Sequence, residues 1–124
     1  MRLLLDTQVL LWWLDDRPMS LGARTAIADP INDVFVSAAT AWEMSIKSSL
    51  GKRRAPDDLA AQLELSGFRS LPISIANALV AGALPRLHHD PFDRMLVAQA
   101  LQENLSVVTR DSSFAGYAVE LVDA

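Results

Sequence analysis

The chain contains no cysteine, which excludes disulfides and thiolate metal sites together and fits a reducing cytoplasm. It also lacks a long apolar run near its start. Arg2 precedes only Leu3-Leu4-Leu5 before Asp6 interrupts, so the N-terminus reads as neither a signal peptide nor a membrane span. No glycine-rich phosphate loop follows that run, because Asp6-Thr7-Gln8-Val9 has no glycine. Basic residues run out early: no lysine follows Lys52 and nothing basic follows Arg110. The net charge is −4 and the isoelectric point is near 5.0, which weighs against nucleic acid as a partner of the chain as a whole. The distribution softens this. Lys47, Lys52, Arg53 and Arg54 fall within eight residues that contain no acid, and Arg86, Arg94 and Arg110 sit beside acidic positions. Such a rim can hold a phosphate backbone when bound cations neutralise part of the acid.

Apolar residues, by contrast, are abundant. They make up 51% of the 124 residues, near the upper end for a soluble domain, so part of that surface is expected to be covered by another chain. The length suits one domain, 1–124, with a proper core. Leu3-Leu4-Leu5 reads as a buried parallel strand that ends at Asp6. Asp6-Thr7 then caps a helix through Leu14 that is apolar on every side, and such a helix is expected to be buried all round, in part by a second protein. Helices are predicted over Ser20–Asp29, Ala38–Leu50, Asp57–Leu65 and Ser74–Leu84, with Gly51 and Gly67 closing the second and third of these. On the Ala38–Leu50 helix, Ala39, Trp42, Ile46 and Leu50 form the expected core stripe, with Glu43 at its edge. Strands are predicted over Val34–Ser37, Arg69–Ile73, Ser106–Thr109 and Val119–Val122, the second of them at a sheet edge because of Pro72. This alternation predicts a three-layer α/β/α sandwich on a central parallel sheet of four or five strands.

The most informative stretch is His88-His89-Asp90-Pro91-Phe92-Asp93-Arg94-Met95-Leu96-Val97. Asp90 followed by Pro91 marks a helix start. From there Asp93, Leu96, Val97, Ala100 and Leu101 recur at the spacing of one helical face, which points Asp93 towards the core. A carboxylate so placed needs a partner. Three further acids have reason to lie nearby, since sites in open parallel sheets form outside the C-terminal ends of the strands. Asp6 ends the first strand, Asp111 follows the Ser106–Thr109 strand, and Glu43 opens the helix after the second. Each also has an ordinary structural reading. Asp6 is a helix cap, Asp93 the third residue of a box with Asp90, Glu43 the i,i+4 partner of Lys47, and Asp111 a turn residue. The joint pattern goes further. Crowded carboxylates repel, and a divalent Mg²⁺ or Mn²⁺ ion removes the conflict by binding hard oxygen. Sites of this kind mostly act on phosphate esters. His88 and His89 read as loop residues, and Trp12, Trp13 and Trp42 as core or interface.

The blocks Leu4-Leu5-Asp6-Thr7-Gln8-Val9-Leu10-Leu11-Trp12-Trp13-Leu14, Ala41-Trp42-Glu43-Met44-Ser45-Ile46-Lys47, His88-His89-Asp90-Pro91-Phe92-Asp93-Arg94 and Val108-Thr109-Arg110-Asp111 resemble the signature blocks of PIN-domain proteins, and above all VapC-type toxins of bacterial type II toxin–antitoxin pairs. The resemblance spans nearly the whole chain, in order and spacing. It implies a PIN-like fold and a cytoplasmic, Mg²⁺- or Mn²⁺-dependent endoribonuclease held inactive by a small cognate antitoxin. The catalytic and metal-binding acids carry over to Asp6, Glu43, Asp93 and Asp111, with Thr7 and Thr109 as accompanying hydroxyls. Lys47, Lys52, Arg53, Arg54, Arg94 and Arg110 are the candidate RNA contacts, and a homodimer is expected. The chain departs from the pattern at Gln8, where related sequences often have histidine. Among rivals, a phosphoacceptor receiver domain needs an aspartate after its third strand and a late lysine, and the chain has neither. A haloacid-dehalogenase-type phosphatase needs a second aspartate where Gln8 stands. A catalytically silent PIN-like binding module is the remaining alternative.

Overall fold

Leu3, Leu4 and Leu5 alternate between the two faces of the sheet and are fully buried on both. Each contributes roughly 1.5–3 kcal/mol of burial. In the computed structural model, which describes residues 1–52 and 56–124, they form β1 (Arg2–Leu5) at the centre of a five-stranded sheet. β2 (Asp33–Ser37) and β4 (Ser106–Thr109) flank it, and β3 (Arg69–Leu71) and β5 (Leu121–Asp123) are the edges, in the order β3-β2-β1-β4-β5. Every pairing is parallel.

The alternation divides the core in two. Leu3, Leu5, Val34, Val36 and Val108 pack with α1 (Thr7–Leu14), α2 (Leu21–Ala28), α3 (Ala38–Ser49) and α4 (Leu59–Leu65). Leu4, Phe35 and Val107 pack with α6 (Pro91–Glu103) and the 3₁₀ turn Ser112–Gly116, and α5 (Ile75–Ala83) lies along α6. This is the α/β/α sandwich that the alternation of elements predicts. Gln99, fully buried in α6, accepts from Ser37 Oγ at 2.6 Å and donates to the Pro72 carbonyl at 3.2 Å. That network fixes α6 against β2, and with it the first helical turn that carries Asp93.

Local signals are met closely. Ser20, Ser37, Ser74 and Asp90 cap the helices they precede. Gly51 follows α3 with φ +69°, and the amides of Gly51 and Lys52 donate to Ser48 and Lys47 carbonyls, a turn that a side chain would strain. Several boundaries move. α4 begins at Leu59 because Asp58 is its cap, β3 stops before Pro72, and β5 starts two residues later and ends one later than its apolar pattern suggests.

The larger correction concerns α3. Trp42 and Leu50, expected in the core stripe, are each 62% exposed, while Thr40, Glu43 and Met44 are buried. The helix is rotated so that Thr40 and Glu43 meet Thr7 of α1, and the Trp42 ring is left on the surface, edge-on to Phe92 at 5.4 Å. The domain itself encloses α1 only in part. Val9 and Leu10 are fully buried, but Trp12, Trp13 and Leu14 are only partly so, because the sheet covers one side of the helix. At the end of the α6 stripe Leu101 is 37% exposed. Among the described residues no helix is long and apolar enough to cross a membrane.

Candidate active site

Two strand ends set the floor of the site. β1 stops at Leu5, and Asp6 leaves it in extended conformation to cap α1, accepting the Gln8 amide at 3.4 Å. Beside it β4 stops at Thr109, whose Oγ1 donates to Asp6 Oδ2 at 2.7 Å. The same oxygen accepts the Asp111 amide at 2.9 Å, so one hydroxyl places both acids. Asp111 in turn caps the 3₁₀ turn, accepting from the Ser113 amide at 2.9 Å and from the Ser113 hydroxyl.

The other two acids come from helices. Glu43 is 4% exposed, and its two oxygens are held apart. Oε1 accepts from Thr7 Oγ1 at 2.8 Å, and Oε2 meets Lys47 Nζ at 2.5 Å. Asp93 lies in the first turn of α6, its amide donating to Asp90 Oδ1 at 3.3 Å and its Oδ2 at 2.7 Å from His88 Nε2. His88 Nδ1 accepts the Asp90 amide at 3.4 Å, which puts the ring proton on Nε2 and makes His88 the donor to Asp93.

The four acids line one cleft of about 400 Å³. Its wall carries five carboxylates (Asp6, Glu43, Asp90, Asp93 and Asp111) against two cations, Lys47 and Arg110. The imbalance shows in the acids. Burial, then the charges of Asp90 and Asp6, push Asp93 up to about 7 against the opposing pull of His88. Burial raises Asp6 as well, with the Asp111 and Glu43 charges adding to it and the Thr109 hydrogen bond opposing. Asp111 is lowered, first by its Ser113 hydrogen bonds. Asp6 thus lies within electrostatic reach of the other three acids. Carboxylate oxygens of Asp93 and Asp111 come within 4.8 Å of one another, a spacing that suits a shared cation, and His88 stands beside them as a donor. Hard oxygens with a charge surplus and acids pushed towards protonation fit a divalent ion. Every ordinary structural reading of the four acids is realised except the reciprocal box. The same carboxylates that cap, turn and pair also converge.

The family profile of the PIN domain matches residues 3–120, which includes all four acids. The chain belongs to the PIN-domain family. Among solved structures, a chain of the VapBC2 complex from Rickettsia felis, bound to a DNA fragment from its promoter, matches with a TM-score of 0.77 at 17% identity. The match covers 100% of this chain and 99% of that one. A chain of a toxin–antitoxin complex from Klebsiella pneumoniae matches with a TM-score of 0.65 at 24% identity, covering 96% and 94%. A chain of FitAcB from Neisseria gonorrhoeae matches with a TM-score of 0.59 at 24% identity, covering 98% and 96%. At these identities the likeness is one of fold. No curated protein matches the sequence.

In this PIN domain the cations expected to meet RNA have separate placements. Arg110 lines the cleft, its guanidinium 4.1 Å over the Trp12 ring and bonded to the Ala124 carbonyl at 3.0 Å. Lys47 lines it too, paired with Glu43. Lys52 is exposed outside the cleft lining, and Arg53 and Arg54 lie outside the described residues. Arg94 corrects the expectation. Its guanidinium donates to the carbonyls of Ala81, Leu84, Pro85 and His88, so it is a strut between the end of α5 and the loop before α6. The sequence places His88 in a loop and leaves its role open. Its ring stands edge-on to Phe114 at 6.0 Å and its amide donates to the Tyr117 hydroxyl at 3.0 Å. The available signal was its place two residues before the Asp90 cap, where a chain entering a helix folds back over the first turn.

Proposed function

We propose that the chain is a metal-dependent endoribonuclease, a single PIN domain acting as the toxin of a toxin–antitoxin pair. The carrying observation is the convergence of Asp6, Glu43, Asp93 and Asp111 on one cleft at the carboxyl edge of the sheet. Membership of the PIN family and the likeness to chains of toxin–antitoxin complexes support it. Mg²⁺ or Mn²⁺ suits the hard oxygen donors, with Asp6, Asp93 and Asp111 as its holders and Glu43 in the same cleft. Such an ion, when bound, supplies an activated water for attack on a phosphodiester and charge stabilisation for the leaving oxygen.

The rest of the work falls to the protein. Thr109 orients Asp6, and Thr7 orients Glu43. His88 donates to Asp93 Oδ2, which holds the carboxylate in one pose. Arg110, seated over the Trp12 ring and bonded to the Ala124 carbonyl, offers its guanidinium to an RNA phosphate in a mostly acidic cleft. A cognate antitoxin and a second copy of the chain belong to the same reading. Ile75 and Leu79, a turn apart on α5 and 82% and 70% exposed, offer them apolar surface. A cysteine-free chain of this type suits the cytoplasm.

Induced alone in a bacterial host, the wild-type chain is expected to arrest growth, while Glu43→Gln, expressed at the same soluble level, is tolerated. Unimpeded growth with soluble wild type would overturn the toxin reading.

A further inference from the structure

The Glu43–Lys47 contact is more than a surface pair. Glu43 is 4% exposed, and a buried carboxylate needs a counter-charge. Its Oε2 has one, the Lys47 ammonium at 2.5 Å, and its Oε1 is taken by the Thr7 hydroxyl at 2.8 Å. The pairing is built into α3. Glutamate four residues N-terminal to lysine is the favourable order, and Lys47 stands in the last turn, where the helix dipole attracts a cation. Lys47 also lines the same cleft as the four acids. The far end of that cleft is different. There Asp93 and Asp111 bring carboxylate oxygens within 4.8 Å of one another, with no lysine or arginine bonded to either among the described residues.

We propose that Lys47 is a built-in counter-ion for Glu43, so that the cleft holds one divalent ion, at its Asp6–Asp93–Asp111 end. This rests on the metal-dependent reading above. Two-metal sites place their ions about 3.5–4 Å apart. A carboxylate can bridge ions so spaced, but the second ion still needs an oxygen beyond the shared ones, and Glu43 is the acid left to supply it. Here the oxygens that a second ion would take at Glu43 already face an ammonium and a hydroxyl. A second ion there has to displace a cation that the helix holds in place.

The test is the number of Mn²⁺ ions bound by the full chain at pH 8, counted by calorimetric titration and by the electron paramagnetic resonance signal of free Mn²⁺. Wild type is expected to bind one. Lys47→Met, which keeps the apolar stem and removes the charge, is expected to bind two. Lys47→Arg restores one, and Lys47→Met combined with Glu43→Gln returns to one. Two ions in wild type, or one in Lys47→Met with affinity within twofold of wild type, would overturn the proposal and leave the metal-dependent reading standing. No binding by wild type would overturn both.

Discussion

Asp93→Asn is expected to raise the melting temperature of the metal-free chain at pH 8 by on the order of 10 °C. Burial and the charges of Asp90 and Asp6 push the Asp93 carboxyl up to about 7, from an ordinary value of 3.8. At pH 8 the folded chain nonetheless holds it ionised, at a cost of ~2–4 kcal/mol. Asparagine removes the charge and keeps the shape, and its amide oxygen can still accept from His88 Nε2. The gain should shrink towards zero at pH 5, where the wild-type carboxyl already carries a proton. Mn²⁺ should reverse the order. A ligand at a hundred times its Kd stabilises the wild type by about 2.7 kcal/mol, and the variant has lost one of the carboxylates that hold the ion. Calorimetry in EDTA and in excess Mn²⁺, at both pH values, measures all four differences. A variant that melts below wild type in EDTA at pH 8 would contradict a crowded carboxylate site.

The affinity for Mn²⁺ is expected to fall about tenfold for each pH unit below 7, because the Asp93 proton must leave before the ion binds. The metal-free chain should show the opposite trend in stability. The folded-state value of Asp93 lies above its unfolded value, so its contribution is fully present below about 4 and is lost as pH rises through about 7. Asp6, also raised, acts in the same sense. Asp111 is lowered and acts oppositely, losing stability as pH falls, but it is exposed and solvent screens it. Low pH therefore favours the metal-free fold and disfavours the loaded one. Titrations between pH 5.5 and 8.5 should give an affinity that climbs to about pH 7 and then flattens. A flat affinity across that range would show that no proton on these acids competes with the ion.

What the sequence reveals about this chain is what short-range chemistry decides. The Leu3-to-Leu5 strand, the Asp90-Pro91 helix start and the inward face of Asp93 depend on neighbours within a few residues, and all three stand as read. The convergence of Asp6 and Asp111 follows from strand ends in a parallel sheet. The rotation of α3 does not follow from its own pattern. A tryptophan and a glutamate in succession suggest that the tryptophan goes inside, and only Thr7, 36 residues away, reverses that. The role of His88 stayed open for a similar reason, since its partners on the 3₁₀ turn and at Tyr117 are set by the loop path. Arg94 looked like a free cation because the carbonyls it bridges carry no mark in the sequence. Lys47 was legible as a partner of Glu43, but not as a residue inside the cleft.

Hydrolysis of RNA by these carboxylates, with the help of a divalent ion, is the proposed activity. Its most direct measurement is cleavage of a structured RNA by the purified chain in Mg²⁺ or Mn²⁺, wild type against Asp93→Asn. Cleavage that EDTA stops and that the variant slows by roughly 10²–10³-fold is the expected result. Equal, negligible rates for both proteins in either metal would contradict it.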